Sequence, residues 1–310
     1  MYNTQELERI RERVKRWTGV PASVFGKTWY VDTTNGNDSN GGTDPLDAFA
    51  TLGAARTASS AGDKIIIARG TYTQLAAAQP LTPKAATQWV AAIVNQLRPS
   101  VVITGTAEAV VVDVDVDLLE FEGIEFKADH NDVSQLVRVA NAAAVAGLTF
   151  RQCRFNGNAK TTVDGISAVH ATQAVSGLIV QDCLFDDLDN GIKIGVAGMP
   201  GSLIEHNTFL LKDTGGADIG ISLADTTAGA TGYGYIIRLN DFIGPADAGA
   251  DAVGIAIAGT ENTVGIGMIR NNFFSFCTAA AITIDKLSQS EINNYYGDVA
   301  TGGTLVDPGT

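Results

Sequence analysis

Six short segments of the chain repeat one pattern and decide its fold: FEGIEF (121–126), FRQCRF (150–155), VQDCLF (180–185), IEHNTF (204–209), IRLNDF (237–242) and IRNNFF (269–274). Each segment ends in a phenylalanine and has an apolar residue five positions earlier. Successive phenylalanines are 24 to 33 residues apart. A repeat of this period over so many units indicates a solenoid in which each unit is one coil.

The position two residues before each phenylalanine also forms a series: Ile124, Cys153, Cys183, Asn207, Asn240 and Asn272. The apolar phase slips there, so the strand is predicted to turn a corner. Asparagine tolerates the left-handed backbone that a corner needs, and stacked asparagines can hydrogen-bond as a ladder. These features predict an all-β fold, a single-stranded right-handed parallel β-helix with triangular coils.

A further apolar residue follows each phenylalanine and predicts the next strand: Leu136, Ile166, Ile192, Ile221, Ile255 and Ile282. The step from the phenylalanine to this residue varies from 7 to 13, whereas the step onward to the next phenylalanine stays between 17 and 21. One corner therefore absorbs most of the variation in length, and its loops are predicted to stack along one edge. Such loops are either a recognition surface or tolerated drift in exposed turns.

The chain ahead of the repeats predicts a strand at Trp29–Asp32, a polar loop, a short helix over Ala50–Ser60 and a buried strand at Lys64–Ala68. This stretch resembles the N-terminal part of the pectin-lyase-like β-helix superfamily. The matching residues are Gly36-Asn37-Asp38, Gly42-Thr43, Phe49-Ala50-Thr51-Leu52, Gly62-Asp63 and Gly70-Thr71-Tyr72. In that superfamily such a helix caps the open end of the solenoid, where apolar side chains and strand edges would otherwise meet water.

Two further helices are predicted. Pro83 suits a first helical turn, and Trp89, Ile93 and Leu97 recur every fourth residue, which favours a helix over residues 83–98. Near the N-terminus a helix over residues 4–17 presents a short heptad face: Leu7, Ile10, Val14 and Trp17. Two heptads are too short to be stable alone. The chain is accordingly divided into residues 1–27, a helical segment for docking or oligomerisation, and residues 28–310, the β-helix. The segment either packs on its own domain or serves as a homotrimeric coil or a peg for another protein.

Charge and composition exclude several classes of protein. The chain has 21 basic and 34 acidic residues, a net charge of −13, so the basic stripe of a nucleic-acid groove is not expected. The same acidity disfavours an anionic polymer substrate such as pectate unless a bound cation intervenes. The first residues lack the apolar core of a secretion signal, and no apolar run is long enough to span a bilayer. Three cysteines make no disulfide framework. We expect a protein made in a reducing cytosol.

The resemblance implies carbohydrate chemistry only where residues match. Pectate lyases of the superfamily use carboxylates that hold calcium and an arginine base on neighbouring coils; polygalacturonase-like hydrolases use NTD, DD and GHG motifs. NTD and GHG are absent here. The nearest acidic set is Asp113, Asp115 and Asp117, predicted on one strand face about 7 Å apart, near the separation of inverting glycosidases. Alternating polar residues also suit any half-exposed strand.

Other acidic sets are weaker candidates. Asp186, Asp187 and Asp189 fall in a predicted corner loop, where one carboxyl could act as a general acid or all three could line a solvated turn. Asp38 and Asp44 could bind calcium, although the loop lacks EF-hand spacing. His130, His170 and His206 lie in separate units without the spacing of a metal site. Cys153 and Cys183 are predicted to stack inside adjacent coils. No cofactor is expected, with calcium the one ion considered.

These observations favour a non-enzymatic phage virion protein, a capsid decoration or a short tailspike-like fibre able to grip a host surface glycan. The partners would be other copies in a homotrimer and capsid or tail subunits, and the location would be the virion. The alternative is a polysaccharide lyase or glycoside hydrolase of the same superfamily. A bacterial adhesin is disfavoured because no export signal is recognised. The virion prediction rests on analogy of fold.

Overall fold

The computed structural model describes residues 26–73, 80–94, 99–105, 109–130, 132–158, 166–195, 198–211, 218–225, 234–245, 252–259, 267–277, 280–284, 290–292 and 294–296. One α-helix, α1, covers Leu52–Ala58, and a 3-10 turn covers Pro45–Asp47. The strands in chain order are β1 (Thr28–Val31), β2 (Lys64–Ile67), β3 (Gly70–Thr73), β4 (Gln88–Ala91), β5 (Val101–Thr104), β6 (Val110–Val114), β7 (Glu120–Glu122), β8 (Ile124–Lys127), β9 (Gln135–Val139), β10 (Val145–Ala146), β11 (Thr149–Arg151), β12 (Arg154–Asn156), β13 (Ser167–Ala171), β14 (Val175–Ser176), β15 (Ile179–Gln181), β16 (Leu184–Leu188), β17 (Asn190–Ile194), β18 (Leu203–Glu205), β19 (Thr208–Leu211), β20 (Ile219–Asp225), β21 (Ile236–Arg238), β22 (Asp241–Ile243), β23 (Val253–Gly259), β24 (Met268–Arg270), β25 (Phe273–Ser275), β26 (Ala280–Ile284), β27 (Ser290–Ile292) and β28 (Tyr295–Tyr296).

The strands form three long parallel sheets, as the predicted β-helix requires. Sheet 1 contains β1, β2, β4, β7, β11, β15, β18, β21, β24 and β27; sheet 2 contains β3, β5, β8, β12, β16, β19, β22, β25 and β28; sheet 3 contains β6, β9, β13, β17, β20, β23 and β26. A coil passes through sheets 1, 2 and 3 in turn. Neighbours within a sheet therefore come from successive coils, and β10 pairs with β14 in a small extra sheet.

The phenylalanine column lies inside sheet 2 and forms the centre of the core. Successive rings from Phe126 to Phe274 stack with centroids 4.4 to 5.3 Å apart and planes within 17° of parallel. All of them are buried, and Phe121 and Phe150 of sheet 1 pack edge-on against the start of the stack. Offset stacking of buried rings adds to the free energy gained by removing apolar surface from water. The predicted column is confirmed.

The column of asparagines lies at the corner between sheets 1 and 2. Asn207 donates through Nδ2 to Oδ1 of Asn240 at 2.9 Å, Asn240 does the same to Asn272 at 3.0 Å, and Asn294 continues the ladder. The predicted ladder is confirmed, but the predicted left-handed backbone is not at these residues. Positive φ falls one residue earlier in each coil, at Gly123, Gln152, Asp182, His206, Leu239 and Asn271. The asparagine is instead buried, where its amide can satisfy neighbouring backbone groups.

The strands of sheet 3 pack closely against the ring stack. A Cβ on Gly191 would lie 2.7 Å from the Phe209 ring, and one on Gly220 would lie 2.6 Å from Phe242. Glycine at these positions lets the strand approach the stack. The predicted apolar series is confirmed from Ile192 onward, since Ile192, Ile221, Ile255 and Ile282 are in register. In the two preceding coils the prediction is wrong, because Val169 and Val137 occupy the aligned positions. Leu136 and Ile166 are buried but belong to other positions.

The cap at the N-terminal end is built around one buried carboxylate. Asp63 is 4% exposed and accepts hydrogen bonds from the Trp29 indole at 2.7 Å and from the backbone N–H groups of Lys27 and Ser60 at 2.6 and 2.7 Å. Burial raises the pKa of Asp63, but these donors and the Lys27 charge outweigh burial and hold the pKa below its ordinary value. The predicted cap helix is confirmed with shorter bounds, Leu52–Ala58.

The predicted helix over residues 83–98 is wrong in its described part. Gln88–Ala91 is strand β4, and Trp89 stands between Ile65 and Phe121 in the register of sheet 1. Trp89 is fully buried, whereas Ile93 is 64% exposed. Apolar residues that recur every four positions also suit a helix. Here the backbone pairing of β4 to a strand on each side and the burial of the indole outweigh that preference. Residues 95–98 lie outside the described part.

The corners differ in how much they vary. The corner between sheets 1 and 2 keeps a constant short form, two residues in every coil from β11 onward. The corner between sheets 2 and 3 ranges from the single residue Asp189 to the long connection between β12 and β13. The corner between sheets 3 and 1 also varies, from five residues between β6 and β7 to ten between β20 and β21. The prediction that one corner absorbs most of the variation is therefore confirmed only in part. The predicted N-terminal helix, with Leu7, Ile10, Val14 and Trp17, lies outside the described residues.

Candidate functional site

The outer face of sheet 3 aligns a series of polar and ionisable side chains. The register of the sheet aligns Asp113, Arg138, His170, Lys193 and Ser222 on five successive strands. All five are half-buried on the outside of the solenoid. Neighbouring strands are about 4.8 Å apart, so the column presents one polar group per coil at regular intervals.

Asp113 and Arg138 form a two-point ion pair at the start of this column. Nε and Nη2 of Arg138 donate to Oδ1 and Oδ2 of Asp113 at 2.9 and 2.5 Å. The hydrogen bonds that Arg138 donates to Asp113 raise the pKa of Arg138 and outweigh the opposing effect of burial. The charge of Arg138 is therefore balanced within the protein, and the next cation along the column is Lys193.

His170 lies between these two cations. Nε2 of Gln135 is 2.8 Å from Nδ1 of His170. A neutral ring that accepts this amide hydrogen bond carries its own proton on Nε2. Burial, followed by the charge of Lys193, lowers the pKa of His170, so the ring is neutral at pH 7. His170 can thus donate one hydrogen bond, while its lone pair is already engaged by Gln135.

The three aspartates predicted to share one strand face are separated by the structure. Strand β6 ends at Val114, so Asp115 and Asp117 lie in the following turn, and that part of the prediction is wrong. Asp115 accepts from the N–H groups of Asn141 and Ala142 at 2.7 and 3.1 Å, and Asp117 accepts from Ala146 N–H at 2.8 Å. Each carboxylate holds the backbone of the next coil, a structural use that the alternation of residues did not reveal.

The second acidic set also differs from its predicted placement. Asp186 and Asp187 lie on strand β16 rather than in a loop, and Asp187 has a positive φ at an irregularity in the pairing. Asp186 pairs with Arg154 at 2.6 Å, and Asp189 accepts from the Ile166 N–H at 2.7 Å. The carboxylates of Asp186 and Asp189 therefore serve different partners.

The calcium candidates are occupied by hydrogen-bond donors. Asp38 accepts from the N–H groups of Ala50 and Thr51, both at 2.9 Å, and from the Thr51 hydroxyl at 2.8 Å. Asp44 accepts from Leu46 N–H at 2.8 Å and begins the 3-10 turn. Among the described residues no group of three or more His, Cys, Asp or Glu side chains is arranged to hold a metal ion. Calcium binding at these two aspartates stays a prediction.

Sequence reasoning missed Arg138 and Lys193 and did not connect either with His170. The three are far apart in the chain and follow no local motif, so only the register of sheet 3 brings them together. The predicted burial of two cysteines inside adjacent coils is confirmed: Cys153 and Cys183 are both buried free thiols. Burial raises the pKa of Cys183, and the neighbouring Cys153 raises it further.

The three long parallel sheets define a parallel β-helix. The chain belongs to the family described as "Protein of unknown function (DUF1565)", whose model matches residues 34–297. No curated protein matches the chain. Within the described ranges no helix is both long and apolar enough to cross a membrane.

Solved structures agree on the fold. A pectin methylesterase from Aspergillus niger is 15% identical, with a TM-score of 0.57 over 90% of this chain and 87% of that one. An alginate lyase from Paenibacillus is 13% identical, with a TM-score of 0.53 over 81% and 93%. A rhamnogalacturonan lyase is 15% identical, with a TM-score of 0.50 over 83% and 70%. At such identities the likeness concerns the fold alone.

Proposed function

We propose that the protein binds an acidic polysaccharide along the outer face of sheet 3. The observation that carries this proposal is the column from Asp113 to Ser222, which places a cation, a neutral histidine and a hydroxyl on successive coils. The net charge of −13 opposes a polyanion over the chain as a whole, so a local cation determines where one can bind. An extended polymer laid across the strands would meet a new polar group at each coil.

Lys193 is the residue we assign to the sugar carboxylate. The charge of Arg138 is already balanced by Asp113, so Arg138 helps to shape the binding surface more than it attracts the sugar carboxylate. The His170 ring adds one hydrogen-bond donor and the Ser222 hydroxyl can donate or accept, which suits sugar hydroxyls on either side of a carboxylate. The similar solved structures support this substrate class, since their names refer to pectin, alginate and rhamnogalacturonan.

Binding without turnover fits this face better than catalysis does. A lyase needs a base with a free lone pair, and a hydrolase needs two carboxyl groups at the scissile bond. On the described face of sheet 3 the His170 lone pair is engaged by Gln135 and the Asp113 carboxylate by Arg138. Enzymatic activity is nevertheless the second candidate function, because the similar folds include lyases and an esterase.

Affinity electrophoresis in gels that contain polygalacturonate, alginate or neutral dextran tests the proposal. We expect retardation by an acidic polymer, lost in Lys193→Gln and kept in the control Lys127→Gln, which removes a half-buried cation from the outer face of sheet 2. Equal mobility with and without acidic polymers, or equal loss in both variants, would refute binding at this face. Release of unsaturated ends, reducing ends or methanol would establish an enzyme instead.

The virion location and the homotrimer stay predictions. The oligomerisation residues lie outside the described part of the chain, and the similar structures do not bear on either point. Mass measurement in solution, with and without residues 1–20, tests the trimer, and a monomer in both cases would remove it. Capsid or tail genes beside its gene would support the virion location.

A further inference from the structure

The first coils of sheet 1 carry an apolar column on their outer face. Tyr30, Ile66 and Val90 are in register on β1, β2 and β4. Tyr30 and Ile66 are half-buried, and Val90 is 9% exposed. The column turns polar at the next coil, where Glu122 follows Val90 and Arg151 follows Glu122. Outward positions of a solvated sheet are normally polar, so an apolar column indicates a surface that something covers. A second apolar column on later coils of the same face lies farther from the point where the chain enters the domain; it consists of Ile179, Leu203, Ile236 and Met268.

We propose that residues 4–17 of the same chain dock on this column, independently of glycan binding. The chain enters the described domain at the right place. The Gly26 N–H donates to Gly62 O at 3.1 Å, the Lys27 N–H donates to Asp63, and β1 begins at Thr28. The preceding segment therefore starts at the edge strand of sheet 1. Residues 18–25 can span about 26 Å when extended, enough to return over the first coils.

The two apolar surfaces are comparable in length, the helix face being about 5 Å longer than the column. Leu7, Ile10, Val14 and Trp17 recur at heptad spacing, and a helix over residues 7–17 places them along about 15 Å. Three strands of sheet 1 present the column over about 10 Å. A two-heptad helix gains most of its stability from packing its apolar face, and this column is the apolar surface nearest to its point of attachment.

Charge favours the same arrangement. The segment contains five basic residues (Arg9, Arg11, Arg13, Lys15 and Arg16) against Glu6, Glu8 and Glu12, so it is basic in an acidic chain. Glu120 and Glu122 face outward at the foot of the column. Lys64 lies beside Ile66 on this face, so we expect the basic side chains to approach the Glu122 end. Under this proposal the segment packs on its own domain and does not serve as a homotrimeric coil or a peg for another protein.

Trp17 provides the readout. The other two tryptophans, Trp29 and Trp89, are buried in the domain, so acrylamide quenching compared with a Trp17→Phe reference isolates the emission of Trp17. We expect Trp17 to be protected in the full-length protein. Ile66→Glu should lower the docking equilibrium constant by about tenfold or more, because a carboxylate replaces buried apolar surface. The matched control is Ile179→Glu, a half-buried outward isoleucine farther along sheet 1.

A second variant tests the docking without placing a charge in an apolar surface, so it is not expected to impair folding. Glu122→Lys changes only a surface charge and should weaken protection of Trp17 severalfold at low salt, with little difference at high salt. Far-ultraviolet circular dichroism confirms the β-helix in each variant. Trp17 that is fully quenchable in the unchanged protein, or exposed equally by Ile179→Glu, would overturn the proposal. Protection that disappears when the protein is diluted to a monomer would also overturn it, because the partner would then be a second copy.

Discussion

Asn240 accepts from the side chain of Asn207 at 2.9 Å and donates to that of Asn272 at 3.0 Å. The same Nδ2 of Asn240 also donates to Ile204 O, and its Oδ1 accepts from the Asn207 backbone N–H. One fully buried amide therefore satisfies groups of the two neighbouring coils. Buried polar groups that lose their partner cost more than the bond itself contributes, which makes the ladder sensitive to a single change.

Replacing Asn240 by alanine should destabilise the protein by about 2–4 kcal/mol, because several buried donors and acceptors lose their partner together. Denaturant unfolding followed by circular dichroism measures the change. Thr208→Ala, an outward substitution on β19, is the control and should stay within about 0.5 kcal/mol. A loss no larger than that of the control would show that water replaces the amide.

Two phenylalanines of sheet 2, two coils apart, should behave in opposite ways. Phe209 lies inside the stack, 4.4 Å from Phe185 and 4.7 Å from Phe242, whereas Phe273 is 41% exposed on the outer face. Phe209→Ala should cost about 3–5 kcal/mol. Phe273→Ala should cost less than about 1 kcal/mol. Equal losses in thermal or denaturant unfolding would mean that the stack is not the centre of the core.

The stability should fall as the pH is lowered, through His170. Burial and the Lys193 charge lower the pKa of this ring in the folded protein from 6.5, so the unfolded chain binds the proton more readily. The resulting stability is present above pH 6.5 and is lost between 6.5 and the folded-state pKa. Unfolding free energies measured across pH 5 to 8 should show this slope. His170→Gln should flatten it and His130→Gln should not; the reverse result would assign the slope elsewhere.

The thiols should be inert in the folded protein. Burial raises the pKa of Cys277 to about 12, and burial together with Cys153 raises that of Cys183. Since the thiolate is the reactive form, an aromatic disulfide reagent at pH 8 should release almost no chromophore until denaturant is added, and then three equivalents. Rapid reaction of any thiol before unfolding would contradict the closed core.

The fold could be read from the sequence wherever spacing is constant. The offsets from Phe209 back to Asn207 and Ile204 recur because the corner between sheets 1 and 2 has a constant form in successive coils. Sheet 3 follows loops of variable length, so counting residues placed Leu136 and Ile166 in the wrong register. The helix predicted around Trp89 is wrong for another reason. Trp89 and Ile93 are four residues apart, which suits a helix, and only the pairing of β4 with β2 and β7 makes this segment a strand.

The candidate site could not be predicted in the same way. Its members Arg138, His170 and Lys193 meet only through the register of sheet 3, which the sequence left undetermined. The aspartates that the sequence did single out, such as Asp115 and Asp117, accept backbone N–H groups of the following coil. Polar residues near corners are common both in functional sites and as hydrogen-bond acceptors for the backbone. Only the position of the donors distinguishes these two roles.

Because the corner between sheets 1 and 2 has a constant length, we expect it to tolerate insertions and deletions less well than the corner between sheets 2 and 3. One residue added beside Cys183 would shift the strand that follows by one position and turn Phe185 toward water, since side chains alternate between faces. The corner between sheets 2 and 3 already accommodates anything from the single Asp189 to a long connection. Foreign peptides could therefore be displayed there, one per turn of the solenoid, at spacings set by the strands beneath them.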